Sequence, residues 1–365
     1  MSKIKVGVIG CGGIANGKHL PALSRKSDMI EIVAFCDTNK ERAIKAAKEY
    51  GTADAFVCTD YRELIAIPEI DVVHVLTPNV SHAEITCAAL DAGKHVMCEK
   101  PMASTPEDAK KMLEARDRSG KLLTIGYQNR YRQDSITLKQ MCERGDLGDI
   151  YYARAHAIRR RAVPNWGVFP NKSLQGGGPL IDIGTHALDL TLWMMDNYEP
   201  KSVMGASFEK LGRTLGKGEQ GNAFGPWDPE TYEVEDSAFG FVTMKNGAVI
   251  YLEASWALNS LDVDEAKTSL CGTKAGADMR DGLRINHIVF DKPTVTRPDC
   301  DGSDGVAFFD GGAGGRPEDI ECDTFYNAVL GKGDLVVKPE QAFVVTQILD
   351  GIYRSARTGK LVEFD

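Results

Sequence analysis

The sequence predicts an α/β domain followed by an α+β domain, and three observations carry that reading. Short apolar runs alternate with amphipathic stretches from Ile4 to Tyr127, which is the rhythm of βαβ units. After about Arg130 the pattern turns to longer strands, two of them flanking Lys245-Asn246-Gly247. A chain of 365 residues, 43% hydrophobic and 26% charged, is long enough to bury two cores. The domains are read as residues 1–126 and 127–365.

In the first domain the apolar runs are Ile4–Ile9, Ile30–Cys36, Asp71–Leu76, His95–Cys98 and Leu122–Gly126, bounded by Gly, Asp and Pro. Helical patterns such as Lys40–Tyr50 and His82–Ala92 lie between them. Strands apolar on both faces are what a parallel sheet covered by helices requires. The second domain opens with a helix, Ser135–Arg144, and a strand, Ile150–Ile158. A loop then leads into a strongly apolar helix, Pro179–Met195. The runs Ala238–Met244 and Ala248–Trp256 predict a hairpin, with Asn-Gly at the centre of a type I′ turn. An antiparallel sheet with helices on one face follows. Gly212–Pro229 and Asp299–Arg316 lack periodicity and read as long loops. A helix over Glu340–Arg357 closes the chain.

A net charge of −9 argues against a nucleic-acid partner, whose affinity needs clustered Lys and Arg. The nine cysteines contain no C-x-x-C pair and favour reduced thiols. The start of the chain lacks the apolar stretch of a secretory signal, and no segment approaches a membrane span of ~20 apolar residues. A cytoplasmic protein without a membrane partner is the expectation.

Gly10-Cys11-Gly12-Gly13-Ile14-Ala15 follows the first strand and opens a helix, giving G-x-G-x-x-A at a strand-to-helix turn. The first glycine permits the turn, the second lets backbone approach a pyrophosphate, and Ala15 allows close helix-on-sheet packing. Free N–H groups at the helix start then bind the anion. Asp37 ends the second strand, 25 residues after Gly12, where a carboxylate accepts from ribose hydroxyls and repels a 2′-phosphate. No Arg follows it, so NAD is expected rather than NADP; the alternative for Asp37 is a helix N-cap. Thr77-Pro78-Asn79 and Glu99-Lys100-Pro101 follow later strands, where ligands of open α/β sheets bind, and should face the nicotinamide half. His82 reads either as a cofactor contact or as a helix-surface histidine.

These residues, with Gly177-Gly178-Pro179 leading to Asp182 and His186, resemble the Gfo/Idh/MocA family (glucose-fructose oxidoreductase, inositol dehydrogenase) over essentially the whole chain. The resemblance implies a Rossmann domain for the cofactor and a C-terminal domain with a large, mainly antiparallel sheet, often used for dimer or tetramer contacts. It also implies that Lys100, Asp182 and His186 occupy the catalytic positions, and that Gln128, in Tyr127-Gln128-Asn129-Arg130, contacts cofactor and Arg130 substrate.

The residues themselves support that chemistry. Asp182 and His186 are four apart and share a helical face one turn apart. They sit among apolar residues, where an acid and an imidazole cost desolvation unless a site requires them, although a structural hydrogen-bonded pair is the competing reading. Gly184 lowers helix propensity by ~1 kcal/mol and hints at a close neighbour. Imidazole, with a reference pKa of about 6.5, can take the proton of an alcohol as hydride leaves carbon, so His186 is assigned as base. Asp182 orients the ring or binds a neighbouring hydroxyl, and the Lys100 cation stabilises alkoxide character. Lys100 and His186 can exchange proton roles. Asn165-Trp166 pairs an amide with an aromatic face, as sugar sites do, or Trp166 is core. Arg159-Arg160-Arg161 reads as a solvated or subunit-contact patch before a phosphate site. No metal is expected, because Asp182 and His186 supply only two ligands.

The expected function is therefore NAD-dependent oxidation of a secondary hydroxyl of a sugar, inositol or related cyclic polyol by a homodimer or homotetramer. Two alternatives are an NAD-dependent glycosidase acting through transient ring oxidation and a non-catalytic nucleotide-binding regulator.

Overall fold

The computed structural model describes residues 3–214, 221–300 and 315–364. The chain forms two compact units, residues 1–128 with Arg316–Phe343, and residues 129–315 with Val344–Asp365.

In the first unit β1 (Ile4–Ile9) leads through a wide π turn, Ala15–His19, into α1 (Leu20–Ser24). Then come β2 (Ile30–Cys36), α2 (Lys40–Tyr50), β3 (Phe56–Cys58), α3 (Tyr61–Ile65), β4 (Val72–Val75) and α4 (His82–Asp91). β5 (His95–Cys98), α5 (Pro106–Ser119) and β6 (Leu123–Ile125) complete the series. The six strands pair in parallel in the order β3-β2-β1-β4-β5-β6. The order reverses between β1 and β4, the switch point where such sheets bind ligands. The predicted runs became strands; β3, three residues long, carries too little pattern to be seen in advance.

The second unit opens with α6 (Gln133–Glu143), β7 (Ile150–Ile158) and α7 (Lys172–Gln175). A π turn, Leu180–Gly184, runs into α8 (Thr185–Met195), followed by β8 (Pro200–Phe208), β9 (Ser237–Met244), β10 (Val249–Ser255) and β11 (Glu265–Gly272). β12 (Gly276–Asp278), β13 (Arg284–Val289) and β14 (Lys292–Thr296) continue the sheet. The chain then returns to the first unit with α9 (Pro317–Val329), begins α10 (Pro339–Thr358) there, and ends in the second unit with β15 (Val362–Glu363). The nine strands follow β14-β13-β12-β11-β7-β10-β9-β8-β15, and among the described residues β7 with β10 is the only parallel pair of this sheet. The sheet is the large, mainly antiparallel one expected.

α8 packs on β7 and β11, above the buried small side chains of Ala153, Ala155 and Ala157. The first unit's core joins β1, β2 and α1 to Cys322, Phe325 and Tyr326 of α9. That return differs from the reading that put everything beyond residue 126 in the second domain, because no local periodicity reveals which core a late helix will join. The turn between β9 and β10 also differs from type I′. Only Gly247 has positive φ, 89°, and the Gly247 N–H donates to the Met244 carbonyl at 2.9 Å. This is a type I turn closed by a left-handed glycine. The two long loops expected from the sequence fall partly outside the described residues, at 215–220 and 301–314.

Candidate active site

At the end of β1, Gly10 turns the chain with φ of 94°, and a Cβ there would stand 2.4 Å from the Leu76 carbonyl oxygen. Only glycine fits. The Cys11 N–H donates to Asp37 Oδ2 at 2.8 Å, and the Asn39 N–H donates to Oδ1 at 2.8 Å. Asp37 therefore ties the glycine loop to the end of β2; the N-cap of α2 is Asn39, which accepts from the N–H groups of Glu41 and Arg42. The four lone-pair sites of the Asp37 carboxylate leave capacity for further donors. A Cβ added at Gly12 or Gly13 would meet nothing within 4 Å, so the backbone here is open to a bulky anion, and the residues fit a dinucleotide. Ile14 is exposed at the rim. Asn16 steadies the loop by donating to the carbonyls of Cys11 and Gly12 at 2.9 and 2.7 Å. The π turn that follows is of a kind frequent at functional sites.

Thr77, Pro78 and Asn79 follow β4, and Glu99, Lys100 and Pro101 follow β5. His82 joins the two loops. Its Nδ1 lies 2.8 Å from the Pro101 carbonyl and its Nε2 2.9 Å from that of Thr77, and the ring is buried. Burial pushes the imidazolium pKa down while the two carbonyls act against it. Each ring nitrogen faces a backbone carbonyl, and whichever carries the proton of the neutral ring donates to it, so the buried His82 links the two loops and is neither an outward-facing cofactor contact nor a surface histidine. Glu99 is buried as well. Its Oε2 accepts the Lys100 N–H at 3.0 Å and its Oε1 lies 2.9 Å from Lys18 Nζ and 2.8 Å from His19 Nε2, so its carboxylate braces the loop instead of facing outward to a cofactor. Gln128 Oε1 accepts from Lys18 Nζ at 3.3 Å.

In the second unit Asp182 lies in the π turn and His186 in the first turn of α8, both buried, so the two are joined through a π-to-α junction instead of one regular helix. The close neighbour at Gly184 is Ala254 of β10, whose Cβ would lie 3.0 Å from an added one. Trp256, fully buried, donates its indole N–H to Asp182 Oδ2 at 3.0 Å. The sequence reading missed this residue, 74 positions away in the chain. Glu235 was missed too: its carboxylate accepts the N–H groups of Gly178 and Leu180 at 2.9 and 3.2 Å, at the start of the helix carrying Asp182. Tyr353 donates to it at 2.8 Å. Burial raises the Glu235 carboxyl pKa above its ordinary value, with these donors pulling the other way.

Arg130 is fully buried and makes a bidentate pair with Asp189, Nε to Oδ2 at 2.9 Å and Nη2 to Oδ1 at 2.6 Å, so it braces α8 and does not present its guanidinium to substrate. Asp189 is accordingly a structural partner. The Asn165 amide nitrogen donates to the carbonyls of Phe224 and Pro226 at 2.5 and 3.0 Å, which commits its two N–H donors to the chain at 224–226. Trp166 is 49% exposed, edge-on to Phe169 and Phe224, and so is not core. Arg159 pairs with Glu265 and Arg161 with Asn259. Among the described residues no group of three or more His, Cys, Asp or Glu side chains is placed to hold a metal ion, and no helix is long and apolar enough to cross a membrane.

A parallel six-stranded sheet with a glycine turn at its switch point, joined to a unit built on a large antiparallel sheet, defines the class of two-domain dinucleotide-dependent oxidoreductases. The family model for the oxidoreductase family with an NAD-binding Rossmann fold matches residues 4–127, and that for the family's C-terminal alpha/beta domain matches residues 139–364. The chain belongs to the Gfo/Idh/MocA oxidoreductase family. It is 38% identical to D-glucoside 3-dehydrogenase of Escherichia coli K12 over 367 residues, covering 99% of this chain and 98% of that one. Levoglucosan dehydrogenase of Pseudarthrobacter phenanthrenivorans is 29% identical over 273 residues, 70% of this chain and 68% of its own. The structure of levoglucosan dehydrogenase in complex with NADH and levoglucosan has the same fold, with a TM-score of 0.81 at 24% identity over 99% of both chains.

Proposed function

We propose that this chain is an NAD-dependent dehydrogenase that oxidises a ring secondary hydroxyl of a D-glucoside, with His186 as general base assisted by Lys100 and Asp182. The observation that carries the reading is the 38% identity to a D-glucoside 3-dehydrogenase along 99% of the chain. NAD, when bound, supplies the hydride acceptor. Gly10, Gly12, Gly13 and Ile14 hold its pyrophosphate, Asp37 its adenosine ribose, and Thr77, Pro78, Asn79, Lys100 and Gln128 its nicotinamide half. Asp37, with Thr38, Asn39 and Lys40 after it, supports NAD over NADP. His186 takes the hydroxyl proton as the carbon–hydrogen bond breaks, the Asp182 carboxylate fixed by Trp256 orients the imidazole, and Lys100 stabilises the developing alkoxide. Trp166 offers an exposed aromatic face to the sugar ring.

Methyl glucosides, inositols, anhydrosugars and free aldoses are compared with each nicotinamide cofactor by reduced-nicotinamide absorbance. A glucoside with NAD is expected to give the highest kcat/KM. Lys100→Ala and His186→Ala should each lose at least about 100-fold in kcat while still binding NAD. Full turnover in both variants overturns the site assignment, and aryl-glucoside cleavage without accumulating NADH favours transient ring oxidation instead.

A second copy of this chain is the partner we assign to the outer face of the antiparallel sheet. Met204, Phe241 and Tyr251 are cross-strand neighbours on β8, β9 and β10, with Met204 and Phe241 nearly half exposed. A dimer or tetramer in light scattering, reduced to monomer by Phe241→Lys, is expected. The buried thiols of Cys11, Cys36 and Cys98 suit a reducing compartment, the cytoplasm.

A further inference from the structure

Behind the loop that carries Lys100 lies a buried group of ionisable side chains with no part in the chemistry above. Lys18, on the π turn after the glycine loop, places its ammonium 2.9 Å from Glu99 Oε1, 2.9 Å from Glu321 Oε2 on α9 and 3.3 Å from Gln128 Oε1. All three ammonium protons are thereby committed. The group is nearly dry: Lys18 is 9% exposed, Glu99 4% and Glu321 2%. Among the described residues Glu321 Oε1 has no hydrogen-bond partner, and Lys18, through Oε2, is the cation that compensates this carboxylate. Glu99 in turn accepts the Lys100 N–H, and an added Cβ at Gly126 would stand 2.9 Å from Glu99 Oε1, so the glycine that follows β6 leaves room for the carboxylate.

Two functions suit such an array. His19 Nε2 lies 2.8 Å from Glu99, His19 Nδ1 lies 3.3 Å from His74 Nδ1, and His74 Nε2 lies 2.9 Å from Tyr326 Oη. One tautomer assignment satisfies the chain: Tyr326 donates to His74, His74 to His19, and His19 to Glu99. It has the form of a proton wire. The energetics oppose that use, because burial holds His74 well below its ordinary value, and Glu99, despite burial, is held well below the carboxylate range by Lys18 and His19. Neither accepts a proton at neutral pH. The chain also ends on Tyr326, which is fully buried.

We propose that Lys18 is a positioning residue for Lys100: its ammonium clamps Glu99, Gln128 and Glu321 together and thereby fixes the backbone from which the Lys100 side chain projects. The proposal rests on the catalytic reading of Lys100. A displaced loop shifts a group that must be aligned with the reacting oxygen, and misplacement by about 1 Å costs roughly 100-fold. The test compares full-length Lys18→Met, which keeps the apolar stem, with Lys18→Arg and Glu321→Gln. Methyl β-D-glucopyranoside and NAD are the substrates, and hydrogen–deuterium exchange is followed in peptides covering 98–102. Lys18→Met should lower kcat about 10- to 100-fold with KM for NAD within about threefold, and should speed exchange at the Lys100 amide. Lys18→Arg should recover most of both, and Glu321→Gln, the gentler change, should move both in the same direction. Unaltered kcat and exchange in Lys18→Met overturn the proposal, as does a raised KM for NAD at unchanged kcat. If Lys18→Met does not fold, an unaltered Glu321→Gln overturns it. Wild-type turnover by a parallel Lys100→Met would sink the catalytic reading alone, since the exchange measurement still reports on the clamp.

Discussion

Glu99 in the first unit and Glu235 in the second are both buried and both accept backbone N–H groups beside a segment assigned to catalysis, yet their carboxyls are driven in opposite directions. Burial pushes each one up. At Glu99 the nearby Lys18, His19 and Lys100 more than reverse this, and the pKa falls well below the ordinary value. At Glu235 the partners are backbone N–H groups and the Tyr353 hydroxyl, all neutral, and burial prevails. The comparison separates two ways of anchoring a segment proposed to act in catalysis within a dry interior. A counter-charge fixes an ionised carboxylate firmly but leaves both ions exposed to loss of either partner; neutral dipoles make a weaker anchor that tolerates change.

Lys18→Met should break the comparison most severely. It strands Glu99 and Glu321 in the interior, and loss of one partner of a buried ion pair costs about 3–5 kcal/mol. A lowered urea midpoint at neutral pH, with part of the loss recovered on acidification as the stranded Glu99 carboxylate protonates, is the expected outcome.

Glu235→Gln should cost less, about 1–3 kcal/mol, since the amide presents one nitrogen to a backbone N–H. The pH dependence gives the sharper contrast. The folded carboxyl of Glu235 lies above its unfolded value of about 4.5, so its contribution is complete below that value and is lost as pH rises through the folded one. The penalty of Glu235→Gln is thus greatest in acid and shrinks toward neutrality. Glu99 runs the other way: its contribution is present above about 4.5 and is lost as pH falls through the depressed folded value. Urea unfolding of the wild type, Glu235→Gln and Glu99→Gln from pH 4 to 7.5 should give stability differences of opposite slope. Parallel slopes would remove the distinction.

The parts of this arrangement that were legible in the sequence are those that unusual local chemistry betrays. Gly10, Gly12 and Gly13 after an apolar strand, and Asp182 and His186 within an apolar helix, announce themselves because each is costly without a reason. The clamps are different in kind. Lys18 with Glu321, Arg130 with Asp189 and Trp256 with Asp182 join distant segments, and no period connects them. A partial signal existed: Lys18-His19 interrupts a helix otherwise flanked by Ala15 and Leu20, and Glu321 sits between Ile320 and Cys322. Charges on a face that must pack require partners, though only the fold reveals which. The π turns at Ala15–His19 and Leu180–Gly184 left no trace, because a widened turn has no composition of its own.

The smallest effect on turnover is expected at Trp256→Phe, where the question is whether Asp182 is anchored by a neutral dipole in the manner of Glu235. The substitution removes the indole N–H that lies 3.0 Å from Asp182 Oδ2 and keeps an aromatic ring in the buried site. A hydrogen bond to a charged group contributes about 1.5–3 kcal/mol, but Phe is smaller than Trp, and neighbouring side chains can relax into the space to recover some contact. If Asp182 acts by orienting His186, the loss falls on the chemical step. Then kcat should drop about tenfold with KM for the glucoside nearly unchanged, the pattern of an interaction made only in the transition state. If Asp182 instead binds a neighbouring hydroxyl of the sugar, KM should rise with kcat preserved, and the tryptophan would belong to substrate recognition. Steady-state kinetics on one variant therefore assigns the acid its role.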